Sequence, residues 1–200
     1  MSAKLSEMQP LDIPTSHGLA RAHLVAGSRA AVVLGHGAGG GVGAPDLVAA
    51  AEVAAAAGCA VALVEQPYRV AGRRSSPRPP VLDAAWTEVL EQLPLGGLPL
   101  IAGGRSAGAR VACRTAGSCG AVAVLCLAFP LQPPRGGPSR QPELDAAGVP
   151  TLVVQGERDP FGMPAAGPQR TVAVVPGTHR LANRAAVGAA VSAWLAEVLA

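Results

Sequence analysis

Aromatic residues are almost missing from this chain: two Trp, two Phe and one Tyr in 200 residues. A core must therefore be built from Ala, Val and Leu, and no aromatic-interleaved basic patch exists on which nucleic-acid bases could stack. Lysine is reduced to Lys4, so fifteen of the sixteen basic residues are arginine. With the abundance of Ala, Gly and Pro, this reads as the codon bias of a GC-rich, bacterial genome. The net charge of +3 is too small to argue for a polyanionic partner. The four cysteines (Cys59, Cys113, Cys119, Cys126) lack C-x-x-C spacing, which argues against a metal site or a disulfide framework and for buried, reduced thiols. No stretch reaches the about 18 uninterrupted apolar residues of a membrane span, and Lys4 and Glu7 break up any signal-peptide core. The expectation is a cytoplasmic single domain over residues 1–200, with 1–17 irregular.

Hydrophobic runs alternate with helix-compatible stretches. Residues 19–26 alternate as a leading strand, and 30–34 (Ala-Ala-Val-Val-Leu) form a continuous apolar run, as in a strand covered on both faces. Pro45 opens an Ala-rich helix that Gly58 closes, and 59–64 is the next strand. A polar loop is expected over 66–80. In the helix predicted over 81–93, Leu82, Trp86, Val89 and Leu93 share one face. Strands follow at 98–102, 121–127, 151–155 and 171–175, and Asn183 caps a closing helix. The stretch 130–142 is too rich in Pro and Gly for regular structure. Such alternation implies right-handed crossovers and a mostly parallel, doubly wound sheet, whose chemistry gathers at the carboxyl ends of its strands.

The segment Gly104-Arg105-Ser106-Ala107-Gly108 stands between a strand-like run and a helix-compatible one. That is the setting of a nucleophile elbow, a sharp turn that exposes a serine hydroxyl. In a chain with 25 glycines the pattern alone is weak. A neutral hydroxyl needs a base, and the base needs a carboxylate to fix its tautomer. Of the four histidines, His17, His23 and His36 lie in early turns and strands, and only His179 follows the last strand. Asp159 stands just past the strand 151–155, with Glu157 as its rival and Asp145 a more distant one. The chain order Ser106, Asp159, His179 is that of α/β-hydrolases. Two amides must stabilise an oxyanion: that of Ala107, directly after the serine, and that of Ala38 in the loop Gly35–Gly41, with Gly39 second choice.

The same glycine loop also fits a dinucleotide fingerprint, Gly35-x-Gly37-x-x-Gly40, with Glu65 ending the next strand. A helix starting near Pro45 would miss the pyrophosphate, and Glu65 lies 25 residues past Gly40 where about 20 from the motif is usual. The loop 68–78 concentrates Arg69, Arg73, Arg74 and Arg78. It is either a solvated surface or a lure for an anionic substrate, with Arg69 and Arg73 as candidate substrate contacts.

Jointly, His36-Gly37-Ala38-Gly39-Gly40, Pro67-Tyr68-Arg69 with Gly72-Arg73-Arg74, Gly104–Arg110, Phe129–Pro134 and Gln155–Gly162 resemble the α/β-hydrolase-like family of testis-expressed protein thirty and the third regulatory subunit of the NSL complex. Small bacterial members, distantly similar to dienelactone hydrolases, look closest. The resemblance implies a compact α/β-hydrolase fold without a large cap, Ser106 as nucleophile, Asp159 as acid and His179 as base. Two positions depart from the family: Thr178-His179-Arg180 stands where Asp-His is common, and Gln132 replaces a histidine. The expected function is a serine hydrolase of small-acyl esters or thioesters that needs no metal or organic cofactor. Its partner would be the small-molecule substrate, with neither nucleic acid nor membrane involved, and the protein a monomer or homodimer. The rivals are a non-catalytic interaction module on the same fold and a dinucleotide-binding protein using Gly35–Gly40.

Overall fold

A computed structural model describes residues 8–133 and 136–200. One sheet of eight strands organises them, in the order β1-β2-β4-β3-β5-β6-β7-β8. Its first two strands, β1 (Gln9–Thr15) and β2 (Gly18–Val25), form a hairpin, and β2 runs antiparallel to β4 (Ala60–Glu65). From β4 through β3 (Ala31–Gly35), β5 (Leu100–Arg105), β6 (Ala121–Leu127), β7 (Thr151–Gly156) and β8 (Arg170–Val175), every pairing is parallel. This is the α/β-hydrolase fold.

Both faces of the sheet are covered, which explains why its central strands read as unbroken apolar runs. Val32 and Leu34 point to one side, into a core shared with α1 (Pro45–Ala56) and α6 (Arg184–Val198) through Leu47, Val191 and Trp194. Val33 points to the other, toward α3 (Pro79–Gln92) and α4 (Ala107–Thr115). There the predicted stripe Leu82, Trp86, Val89 and Leu93 is buried as one face. With few aromatics available, small residues let helices lie close to strands: in α1, Ala49, Ala50, Ala51, Ala54 and Ala55 are all buried. Asn183 caps α6, its side-chain oxygen accepting from the Ala186 amide at 3.1 Å.

Three expectations need correction. The segment 1–17 is not irregular where it is described, because Gln9–Thr15 is β1; residues 1–7 lie outside the described part. Pro10 and Pro14 hid this strand. They are tolerated because β1 is an edge strand, paired on one side only. The supposed polar loop 66–80 contains a short helix, α2 (Pro67–Val70), and α3 already begins at Pro79, proline being well suited to a helix's first turn. In the Pro/Gly stretch 130–142, α5 (Gln141–Asp145) starts at the far end.

Trp86, one of two tryptophans in the thinly aromatic core, is 1% exposed. Trp86→Ala is expected to cost about 3–5 kcal/mol, read as a lower urea midpoint with an unchanged m-value.

Candidate active site

Ser106 occupies the single residue between β5 and α4, with φ 53° and ψ −106°. This is a strained conformation for a residue with a side chain, costing about 1–3 kcal/mol. The strain is held from both sides. Gly104 and Gly108 press on Gly35 at the end of β3: a Cβ on Gly104 would come within 2.5 Å of the Gly35 carbonyl oxygen, and one on Gly108 within 2.4 Å. The Ser106 amide donates to the Leu127 carbonyl at the end of β6, at 2.9 Å. The glycines are therefore demanded by a close approach of backbones, and the serine side chain is left as the one that projects from the turn.

Two loops deliver partners to that hydroxyl. After β7 the chain turns so that Asp159 sits with its carboxylate fully buried, and after β8 a second turn presents His179. The turns are packed on each other: a Cβ on Gly156 would lie 2.5 Å from the Thr178 carbonyl oxygen, and the Arg158 amide donates to the Gly177 carbonyl at 3.0 Å. His179 Nε2 lies 3.0 Å from Ser106 Oγ, and His179 Nδ1 lies 2.9 Å from Asp159 Oδ2. An ionised carboxylate only accepts, so the proton belongs on Nδ1, which leaves Nε2 free to accept from the serine. Asp159 is itself oriented by the Phe161 amide (2.9 Å to Oδ1) and the Gln155 side-chain amide (3.0 Å to Oδ2). The Phe161 ring packs against the imidazole, centroids 4.3 Å apart. The rival carboxylates are elsewhere. Glu157 is half exposed beside Arg158, and Asp145 receives the guanidinium of Arg170.

Sequence reasoning gave no role to Arg105, Asp46 or Gln155. The Arg105 Nε lies 2.9 Å from Asp46 Oδ2 in the first turn of α1, and its Nη2 donates to the His179 carbonyl at 2.8 Å. One guanidinium thus joins the elbow, α1 and the histidine loop. Burial pushes the Asp46 carboxyl upward, against the pull of Arg105. A charged residue directly before the serine, and the single carboxylate in an alanine-rich helix start, were the available signals. For Gln155 the signal was an amide ending an apolar strand, and it too is fully buried.

The loop after β3 passes over the elbow: a Cβ on Gly37 would lie 3.6 Å from Ser106 Cβ and 3.0 Å from an Arg105 guanidinium nitrogen. His36 fixes the loop and does not approach the serine. Its Nε2 accepts from the Gln66 amide at 3.0 Å, so Nδ1 carries the proton and donates to the Gly37 carbonyl at 2.8 Å. Burial holds this imidazole below its ordinary value. Ala38 is anchored by its carbonyl, which accepts from the Tyr68 hydroxyl at 2.9 Å. Ala107 heads α4, where an amide has no intrahelical acceptor. Around Gly39 and Gly40 the space is open, with no atom within 4 Å of a Cβ position. Since α1 starts only at Pro45, Gly40 neither opens a helix nor permits close helix–strand packing, as the last glycine of a dinucleotide fingerprint would. Arg73 is exposed and lines a cavity of about 390 Å³, which Ser106, Asp159, His179 and Arg69 do not line. The Arg69 guanidinium donates to the Arg73 carbonyl at 3.4 Å.

Arg105→Met is expected to strand the buried Asp46 charge at a cost of about 3–5 kcal/mol, and adding Asp46→Asn should recover most of it in urea unfolding. The lowered His36 value has a definite sign. Below the unfolded histidine value of about 6.5 the unfolded chain binds the extra proton first, so this contribution to stability is complete above that pH and is lost as pH falls toward the folded value. His36→Asn should flatten the acid limb of a plot of melting temperature against pH relative to wild type.

Comparison with known proteins bears on the fold. No curated protein sequence matches the chain. Among solved structures, an α/β serine hydrolase homologue from Coxiella burnetii superposes with a TM-score of 0.75 at 14% identity, covering 94% of this chain and 97% of that one. A lidless α/β serine hydrolase from Xanthomonas campestris reaches 0.71 at 18% identity, covering 94% and 95%. The dienelactone hydrolase of Anabaena variabilis reaches 0.72 at 18%, covering 96% and 97%. At these identities the likeness is one of fold. The sequence model of the alpha/beta hydrolase domain matches residues 28–197. The chain belongs to the alpha/beta hydrolase domain family.

Proposed function

We propose that this protein is a serine hydrolase that cleaves carboxylic esters or thioesters of small acyl groups through an acyl-enzyme. The observation that carries the reading is the unbroken relay from Ser106 Oγ to His179 Nε2 (3.0 Å) and from His179 Nδ1 to Asp159 Oδ2 (2.9 Å), built on a strained elbow at the carboxyl ends of parallel strands. Ser106 Oγ attacks the carbonyl carbon while His179 Nε2 takes its proton. Asp159 stabilises the imidazolium and keeps the ring in its tautomer. The tetrahedral oxyanion is met by the Ala107 amide and the Ala38 amide. When the oxyanion collapses, His179 returns the proton to the departing alkoxide or thiolate. A water then repeats the attack on the acyl-enzyme, with His179 again as base, and Ser106 is regenerated. The whole cycle is proton transfer through His179 and charge stabilisation by Asp159 and the two backbone amides.

The esterase and serine-hydrolase neighbours support this reaction class. The shared motifs support placing the chain near the small bacterial relatives of testis-expressed protein thirty. Arg105 and Gln155 act as positioning residues, the first through the His179 backbone and the second through Asp159.

A fluorophosphonate probe should label the wild-type protein and leave Ser106→Ala unlabelled although folded. With p-nitrophenyl acetate, Asp159→Asn is expected to lower kcat by about 10⁴-fold with little change in KM. A folded wild-type protein that neither labels nor turns over would instead identify a non-catalytic module on this fold.

A further inference from the structure

Four of the five aromatic side chains, Tyr68, Trp86, Phe129 and Trp194, are buried in the core. The fifth, Phe161, is only half-buried and stands on the loop after β7. A chain this poor in aromatics thus keeps one of them outside its core, and that ring lies on an imidazole. The centroids of Phe161 and His179 are 4.3 Å apart and their planes are inclined at 44°. At that separation the imidazole lies over the face of the benzene ring and not beyond its edge.

The backbone on either side holds the ring in place. The Phe161 amide donates to Asp159 Oδ1 at 2.9 Å, and the Phe161 carbonyl accepts from the Gln132 amide at 2.7 Å. Gly162 follows with φ 93°, in the left-handed region that glycine favours. Its carbonyl accepts from the Gln155 side-chain amide at 2.8 Å, and the same amide reaches Asp159 Oδ2 at 3.0 Å. One turn therefore orients the carboxylate that meets His179 Nδ1 and the ring that covers the imidazole.

His179 must become a cation each time it takes the serine or water proton. Asp159 balances that charge through Nδ1, at 2.9 Å. Arg105 works against it, since its guanidinium donates to the His179 carbonyl at 2.8 Å, although Asp46 offsets part of that charge. The face of a benzene ring carries the negative lobe of its quadrupole and attracts a cation within about 6 Å of its centroid. The attraction is strong for imidazolium and weak for neutral imidazole. It therefore favours the transition state over the resting enzyme, and that is what accelerates a reaction.

Resting on the serine-hydrolase reading, we propose that Phe161 is a further positioning residue, whose ring face stabilises the His179 imidazolium as Ser106 gives up its proton. The ring acts through His179 and does not touch the substrate carbonyl.

The test replaces Phe161 with 4-fluoro-, 3,5-difluoro- and 3,4,5-trifluorophenylalanine, which keep nearly the same shape while draining negative potential from the ring face. With p-nitrophenyl acetate, log kcat/KM should fall stepwise with each added fluorine, to a total loss of about fivefold. Phe161→Tyr should stay close to wild type, and Phe161→Leu should lose at least as much as the trifluoro ring. A kcat/KM that is constant along the fluorine series would overturn the proposal, even if Phe161→Leu is slow, because the ring would then only fill space. That outcome leaves the hydrolase intact. Absence of any Ser106-dependent turnover in wild type would overturn the underlying reading and the role of Phe161 with it.

Discussion

The contact of three backbones at Gly35, Gly104 and Gly108 is the constraint on which the site depends. A methyl group on either of the last two would meet the Gly35 carbonyl at about van der Waals overlap, 2.5 and 2.4 Å. Without that approach β5 could not turn directly into α4, and Ser106 would relax out of its positive-φ conformation. The sheet supplies the force that holds it. β3, β5 and β6 are central strands whose Val, Leu and Ile side chains are buried, Val122 excepted, and the energy of that burial far exceeds the strain stored at one residue.

A second layer of organisation is polar and buried. Arg105 reaches Asp46 and the His179 carbonyl, while Gln155 reaches Asp159 and the carbonyls of Phe129 and Gly162 at 3.1 and 2.8 Å. Each of these side chains joins segments far apart in the chain. Taking them out of water is costly unless partners are present, so they tolerate few alternative arrangements of the loops they join. The Ser106–His179–Asp159 hydrogen-bonded chain is therefore oriented by groups outside it. On the opposite side of α4, Arg110 and Arg114 grip Glu143 of α5, and Arg114 also grips Asp83 of α3, which fixes the elbow helix laterally.

The rim is asymmetric. Toward β7 and β8 the loops are pinned by backbone hydrogen bonds, and they carry Asp159 and His179. Toward β4 and β2, the β1–β2 turn, α2 and the start of α3 line a cavity.

Much of this was legible in the sequence, and the reasons are local. Apolar runs such as Ala-Ala-Val-Val-Leu, the Pro and Gly punctuation of α1, the stripe on α3 and the Asn183 cap each follow from rules acting within a few residues. Chain order singled out Ser106, Asp159 and His179, and the folded chain brings them within hydrogen-bonding distance. Strand β1 was hidden because its prolines are acceptable only at an edge, and edge position is a property of the whole sheet. Arg105, Asp46 and Gln155 were hidden for the same kind of reason: an arginine, an aspartate or a glutamine reads as surface until the fold buries it. Local periodicity and turn chemistry thus determined the elements and the order of the reactive groups. Only the tertiary structure decided which polar side chains became internal struts and where a cavity was left, because both depend on contacts between segments many residues apart.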